Sequence, residues 1–515
     1  MAASARHTRP LIAWALIGLG CAPGLAPAQP PPRPFTFATV EHLAALRAQR
    51  PYAVHSIALP RALARLSYAQ YRSIRFKPQD ALWPRATGTM FDVHFYPRGF
   101  AFTHAVRIYA VSSAGVHRVR YRPSMFAVPA DLARLPRPHN LGFAGLSVRF
   151  PLNSPQQRSP VLAFLGGTYF RVLGRNQVPG ITARGLSIDT AAVSGEETPY
   201  FTDFWLVQPA PRARTLTIYA LLESPSVTGA YRFVLTPGTS TRVTVSVVLY
   251  PRRNITQLGI APLTSMFLYG VNSARRRFEN WRPQVHDSDG LLMQTGSGEW
   301  LWRPLQNPSR LEVNRYMAHD PRGFGLIQRA RSFADYEDPV ARYEQRPSYW
   351  IQPLGHWGYG GVELVEIPAT EPIDYNVDAY WVPSAPVRAG QPLAFSYLLS
   401  AYLHSGGRWP PGGKAVTTRF GAVVRDMHAL RHWRRTVIDF AGGDLSSLRA
   451  DQPVHAVVTA TGARVTAVHV QRLPENGHWR AQFTVHPTGG PVNLRCYLEL
   501  YGAPLTETWT YQWTP

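Results

Sequence analysis

Cysteine is almost absent from this 515-residue chain, occurring at Cys21 and Cys496 alone. Cys21 lies in an N-terminal apolar stretch that reads as a removable signal, which would leave Cys496 single in the mature protein. An intramolecular disulfide and a zinc site built on thiolates are then both excluded. Lysine is equally scarce, with only Lys77 and Lys414, although Lys plus Arg total 54 against 31 Asp plus Glu. The formal charge of +23 would suit an anionic partner such as a substituted glycan or a membrane surface. Yet the arginines are spread singly, apart from "ARRRF" (274–278) and "LRHWRR" (430–435). The basic runs that track a nucleic-acid backbone are missing, so no nucleic-acid partner is expected.

Long apolar stretches are missing too, except at the start. Arg6 and Arg9 precede "PLIAWALIGLGCAPGLA" (10–26), and "APA" (26–28) offers small residues for a signal peptidase. This predicts a signal peptide over 1–28 and a mature chain beginning near Gln29. Gly18 stands where a lipidation site three residues before Cys21 uses an aliphatic residue. No later run is long enough to span a bilayer, so an exported chain without an integral membrane segment is expected.

Several catalytic signatures are also lacking. No Gly-rich loop follows a strand and opens a helix, and no G-x-S-x-G elbow occurs. His286, Asp287 and Asp289 look like part of a calcium loop, but its third acidic or amide position and its late Glu are absent. No cofactor and no metal are expected.

What is present is strand pattern. Segments 104–113, 216–224, 231–238 and 241–252 alternate or cluster β-branched and aromatic residues between Gly, Pro, Asn and Ser. The 47 prolines leave little room for long helices. Helix candidates are confined to 38–50, 59–74 and 130–135. The expected fold is all-β, with a helical N-terminal edge. Gly and Pro crowd together in "LHSGGRWPPGGKA" (403–415), which predicts a domain of 29–403, a linker of 404–414 and a second domain of 415–515. The last part carries five short strands at the spacing of an immunoglobulin-like sandwich. Exposed strand edges would suit a monomer or a homodimer.

Trp281, Trp300, Trp302, Trp350, Trp357 and Trp381 fall close together, interleaved with Arg282, Arg303, Arg346, Asp287, Asp289 and Glu299. Flat aromatic faces beside groups that bond hydroxyls suit a carbohydrate site. Tryptophan is also an ordinary core residue, and composition does not separate the two. The stretch "RPQVHDSDGL" (282–291) is similarly open. Its Asp and Ser before Gly fit a surface turn as well as a catalytic carboxylate.

Longer blocks narrow the choice. "YRSIRFKP" (71–78), "LGFAGLSVRFPLN" (141–153), "FLGGTYFRVLG" (164–174), "SGEETPYFTDFWL" (194–206), "LGIAPLTSMFLYG" (258–270), "RPQVHDSDGL", "GEWLWRPLQNP" (298–308) and "RPSYWIQP" (346–353) resemble the periplasmic glucan biosynthesis proteins of the G and D type. The resemblance implies a large extended β-sandwich of the galactose-mutarotase type with a cleft, followed by a small immunoglobulin-like β-sandwich. It also implies a periplasmic role in making osmoregulated glucans with a β-1,2-linked backbone. The activity implied is that of an inverting hydrolase or a transglycosylase, with a non-catalytic glucan-binding escort factor as the alternative. The inner-membrane glucan synthase is an implied partner.

By the same resemblance, Asp287 is the base and Tyr343 belongs to a relay that carries its proton. Asp289 orients the loop or a sugar hydroxyl. Trp300, Trp350 and Trp357 are candidate platforms, with Arg303 and Arg346 as charged companions. The acid departs from the family pattern, in which a run like "EIPTTGETLDN" stands where this chain has "EIPATEPIDYN" (366–376). Rigid counting puts Tyr375 at the acid position. Sliding by one residue puts Asp374 there, and a carboxyl group is the better proton donor, so Asp374 is the expected acid.

Overall fold

Along Thr241–Pro251 buried and more exposed side chains alternate from end to end, the signature of a strand with one face on the core. In the computed structural model this pattern recurs throughout, and the protein is all-β. The structure describes Met1 and residues 34–53, 58–84, 87–273, 279–404, 410–425 and 428–515, without the side chains of 425–431. The expected signal segment, the "ARRRF" run and linker residues 405–409 lie outside the described residues, as do the side chains of Leu430 and Arg431. Phe35–Pro515 forms one unit.

The few helices sit where expected. Phe37–Ala48 lays Val40 and Ala44 on a cluster with Trp205, Leu221 and Ala230. The expected helix 59–74 is instead two short ones, Arg61–Ala64 and Tyr68–Ser73. The break is local chemistry: Ser67 accepts from the Gln70 amide at 3.2 Å while its own amide donates to the Gln70 side chain at 2.9 Å, a capping box that starts a new helix.

A ten-stranded and a fifteen-stranded sheet carry most of the chain. Leu258–Ser265, inside the ten-stranded sheet, is buried on both faces. The fifteen-stranded sheet continues into the C-terminal region, because Trp300–Pro304 pairs in parallel with Thr508–Trp513 through Leu301 and Thr508, and Trp302 and Trp509. A four-stranded sheet packs there as well. The core between them combines Ile438, Phe440 and Phe483 with Leu494, Trp509, Trp302 and Trp350. Each such buried side chain contributes roughly 1.5–3 kcal/mol. Arg329 reinforces the junction: it forms two 2.7 Å contacts with the buried Glu507 carboxylate and lies 3.5 Å over the Trp302 ring.

Three neighbouring strands of the large sheet, Gly290–Gln294, Gly323–Ile327 and Ser348–Leu354, carry candidate site residues at their ends. Asp287–Asp289 lead into the first, Gln328–Ala330 follow the second, and Tyr343–Arg346 lead into the third. Their ends therefore converge at one place.

Candidate active site

The segment His286–Asp289 is buried throughout, with Asp287 only 1 % exposed, so it is not a surface turn. Its backbone is tied on both sides. The Asp287 amide donates to Met266 at 2.8 Å, the Asp289 amide to Ile327 at 2.8 Å, and the Leu305 amide to the Asp289 carbonyl at 2.9 Å. Side chains complete the frame. His286 meets Gln328 at 2.8 Å and Gln284 at 3.1 Å, and Ser288 meets Ser265 at 2.8 Å. The Asp289 carboxylate accepts the backbone amides of Arg329 and Ala330, the latter at 2.9 Å. Asp289 is thus spent on holding the loop, and through Arg329 the loop is joined to Glu507.

Asp287 is held by a cation instead. Its side chain is ion-paired with Arg346, whose guanidinium lies 4.1 Å from the centre of the Tyr343 ring. Burial works against the Arg346 charge, but the Asp287 carboxylate, with Tyr343 and Tyr375, more than offsets it and raises the Arg346 pKa. Tyr343 sits in a single tight turn, Tyr343–Gln345, entered through a left-handed Arg342 (φ 47°). Burial raises the Tyr343 pKa, so its hydroxyl keeps its proton near neutrality. A neutral hydroxyl both donates and accepts, as a relay requires.

Two residues join this cluster whose place was not read from the sequence, Gly180 and Arg171, together with Tyr375, which rigid counting had put at the acid position. A Cβ on Gly180 would stand 2.8 Å from the Arg346 side chain, so only glycine leaves room for that stem. The Gly180 carbonyl accepts from the Tyr375 hydroxyl at 3.4 Å, and Arg171 donates to the same hydroxyl at 3.1 Å. Arg171 keeps a buried Nε–H with no partner among the described residues. Tyr375 is 45 % exposed, and burial of its hydroxyl end raises its pKa. Arg171 lies inside the block 164–174 and Gly180 just beyond it, but nothing in the sequence brings either to residue 346.

The other expected residues are placed as follows. Asp374 is exposed in a turn, where its amide donates to the Glu371 carbonyl at 3.1 Å and its carboxylate accepts the Glu371 amide at 3.4 Å. It is one residue from Tyr375, and no hydrogen bond or ion pair joins it to Asp287, Arg346 or Tyr343 among the described residues. Arg303 is buried in an ion pair with Glu366 at 2.9 Å, at the root of the 366–376 loop. Trp300 stacks on Trp350 with ring centres 5.6 Å apart, and Trp350 is only 2 % exposed. Trp357, 6 % exposed, packs among Trp381, Phe395 and Tyr397 and donates to Ser396 at 3.2 Å. The ring faces of Trp350 and Trp357 are thus largely taken by protein. The exposed indole near the cluster is Trp281, with Arg282 4.5 Å above it; Arg282 also pairs with Asp338 at 2.6 Å.

Comparison with known proteins agrees along the whole chain. The model of the family described as periplasmic glucan biosynthesis protein, MdoG, matches residues 35–513. The chain is similar to a probable glucans biosynthesis protein D of Shewanella oneidensis, 43 % identical over 96 % of this chain and 91 % of that protein. It is as similar to a glucans biosynthesis protein G of Ralstonia nicotianae, 43 % identical over 91 % of this chain and 94 % of that one. A second Ralstonia nicotianae relative, glucans biosynthesis protein D 1, is 42 % identical over 99 % of both.

Proposed function

The chain belongs to the periplasmic glucan biosynthesis protein family, and from that premise we propose that it acts in the periplasm on β-1,2-glucan as an inverting glycoside hydrolase or transglycosylase. The observation that carries this reading is the buried Asp287, held by Arg346 beside Tyr343. An inverting reaction needs a base that activates the attacking hydroxyl and an acid that protonates the leaving oxygen. Asp287 takes the first role, receiving the proton through the Tyr343 hydroxyl. Arg346 fixes the direction of the Asp287 carboxylate through their ion pair. The half-exposed Tyr375 can offer its hydroxyl to a sugar hydroxyl, and Trp281 offers an exposed ring face.

The acid in this reading is Asp374. In the free protein its carboxyl group is exposed and bonded within the turn Glu371–Asp374, and it closes on the leaving oxygen when glucan binds. Such tightening on substrate binding is ordinary for acid–base groups. A second reading has its own support: with the Tyr375 phenol beside Asp287's partners, the protein binds and escorts nascent glucan without cleaving it. Mass spectrometry of linear β-1,2-glucan after incubation with the protein separates the two. Shortened linear chains alone indicate hydrolysis, whereas rings, each one water lighter than a linear chain of the same length and accompanied by the shortened linear fragment released when the ring closes, indicate cyclisation. An unchanged distribution supports the escort reading and overturns the enzymatic one.

A further inference from the structure

The three strands that end at the Asp287 cluster have another end, and a pocket of about 510 Å³ lies there. Gln294 closes the first strand, Arg322 immediately precedes the second, and Gln352 stands late in the third. All three line the pocket. With five residues in the shortest strand, the two ends are about 15 Å apart at roughly 3.3 Å per residue. The volume is that of a small-ligand site.

Its chemistry is specific. The side chains of Gln294, Arg322 and Gln352 make no hydrogen bond to any described residue, although each offers planar donors or acceptors. Beside them stands a preorganised loop. Asp320, in a left-handed conformation (φ 44°), accepts the amides of Trp357 at 2.9 Å and Gly358 at 2.7 Å. Its second oxygen meets the His356 ring at 3.0 Å, which fixes His356 at the rim. Pro353 adds apolar surface, with the edge of the largely buried Trp350 behind it. Amides, a guanidinium and an imidazole around apolar patches match a sugar ring, whose faces are apolar and whose edges carry hydroxyls. A phosphate site would gather cations, and here one arginine stands beside a carboxylate.

We propose that this pocket is a second saccharide-binding site, which grips the glucan chain outside the Asp287 cluster. In naming glucan as the ligand, the proposal rests on the functional reading above. The two sites lie at opposite ends of the same three strands, which are buried for most of their length, so each can be filled and read separately.

The test is calorimetric titration of a linear β-1,2-glucan oligosaccharide into the full-length mature protein, into Arg322→Ala and Gln352→Ala, and into Arg346→Ala. Arg322 and Gln352 are exposed, so their substitution leaves the fold intact, as melting temperatures will show. Two binding events are expected in the wild type. Arg322→Ala and Gln352→Ala each weaken one of them about tenfold, the loss of one hydrogen bond to a charged or well-placed group, and leave the other unchanged; Arg346→Ala does the reverse. A single event, lost in Arg346→Ala and untouched in the other variants, overturns the second site and leaves the functional reading standing. Binding that survives in Arg346→Ala and disappears in Arg322→Ala supports this pocket and overturns the assignment of the Asp287 cluster. No binding by any form overturns both.

Discussion

Two segments bring the candidate chemistry together, and they are built in opposite ways. His286–Asp289 is buried, with its backbone tied to Met266, Ile327 and Leu305, and its side chains tied to Gln328, Gln284, Ser265 and the Arg329 and Ala330 amides. Glu371–Tyr375 is exposed, and its turn is closed by Asp374 bonding back to Glu371. The proposed base is therefore held in place before substrate arrives, while the proposed acid sits on a lightly held loop. A packed segment tolerates no slip, because a one-residue shift would bury the wrong side chains. A surface loop can exchange neighbouring residues at little cost, which is where a family pattern can drift.

The contrast can be broken most forcefully at Asp287. Asp287→Asn is expected to lower turnover of β-1,2-glucan by about 10³-fold or more while glucan binding persists, since an amide keeps the shape but accepts no proton. Equal loss of binding would make Asp287 a ligand-holding residue instead.

Rigidity of the first segment is tested through its distant anchor. Glu507→Ala leaves the Arg329 guanidinium without its buried partner and is expected to cost about 3–5 kcal/mol in urea unfolding. A change under about 1 kcal/mol, the range of exposed pairs, would show that the junction does not brace the site.

The loop is sharpened by a pair of variants. Asp374→Asn is expected to lower turnover by about 10²-fold, within the range for general acids, and Tyr375→Phe by less than about tenfold. The reverse order would make the phenol, not the carboxylate, the group at the leaving oxygen. Gly180→Ala should have a smaller effect, about tenfold in kcat, because the added methyl group pushes on Arg346 and tilts its grip on Asp287. Unchanged kinetics would show that Arg346 tolerates displacement.

The smallest effect is a control far from both segments. Burial, followed by the nearby Arg149, lowers the His94 pKa to about 4, against the pull of Asp92. In the unfolded chain His94 titrates near its ordinary 6.5, so between pH 6.5 and 4 the unfolded state binds the extra proton. Stability then falls as pH drops through that window, by about 1 kcal/mol at pH 5.5. His94→Gln should flatten this part of the stability profile without altering the pH dependence of turnover. A shift in the turnover profile would link the two.

Much of the fold was legible because strand periodicity is local: the buried and exposed alternation of Thr241–Pro251 can be read straight from its letters. The parallel pairing of Trp302 with Trp509 was not, since residues so far apart in the chain leave no mark on each other's spacing. The Asp287 motif stood out through its companions in long blocks. Tryptophan was less informative: Trp281 and Trp357 look alike in a sequence, yet one is open to solvent and the other fills the core. Arg171 and Gly180 were invisible because their role is purely three-dimensional, one donating to Tyr375 and the other leaving space for Arg346.

The central claim is that Asp287 directs an attack that inverts a β-1,2-glucosidic centre. The most direct measurement is time-resolved proton NMR of linear β-1,2-glucan with the mature protein, reading the anomeric configuration of each product centre as it first forms. The account predicts α products, whether water or a sugar hydroxyl attacks, and none with Asp287→Asn. β products, or a glucan spectrum that does not change, would contradict it.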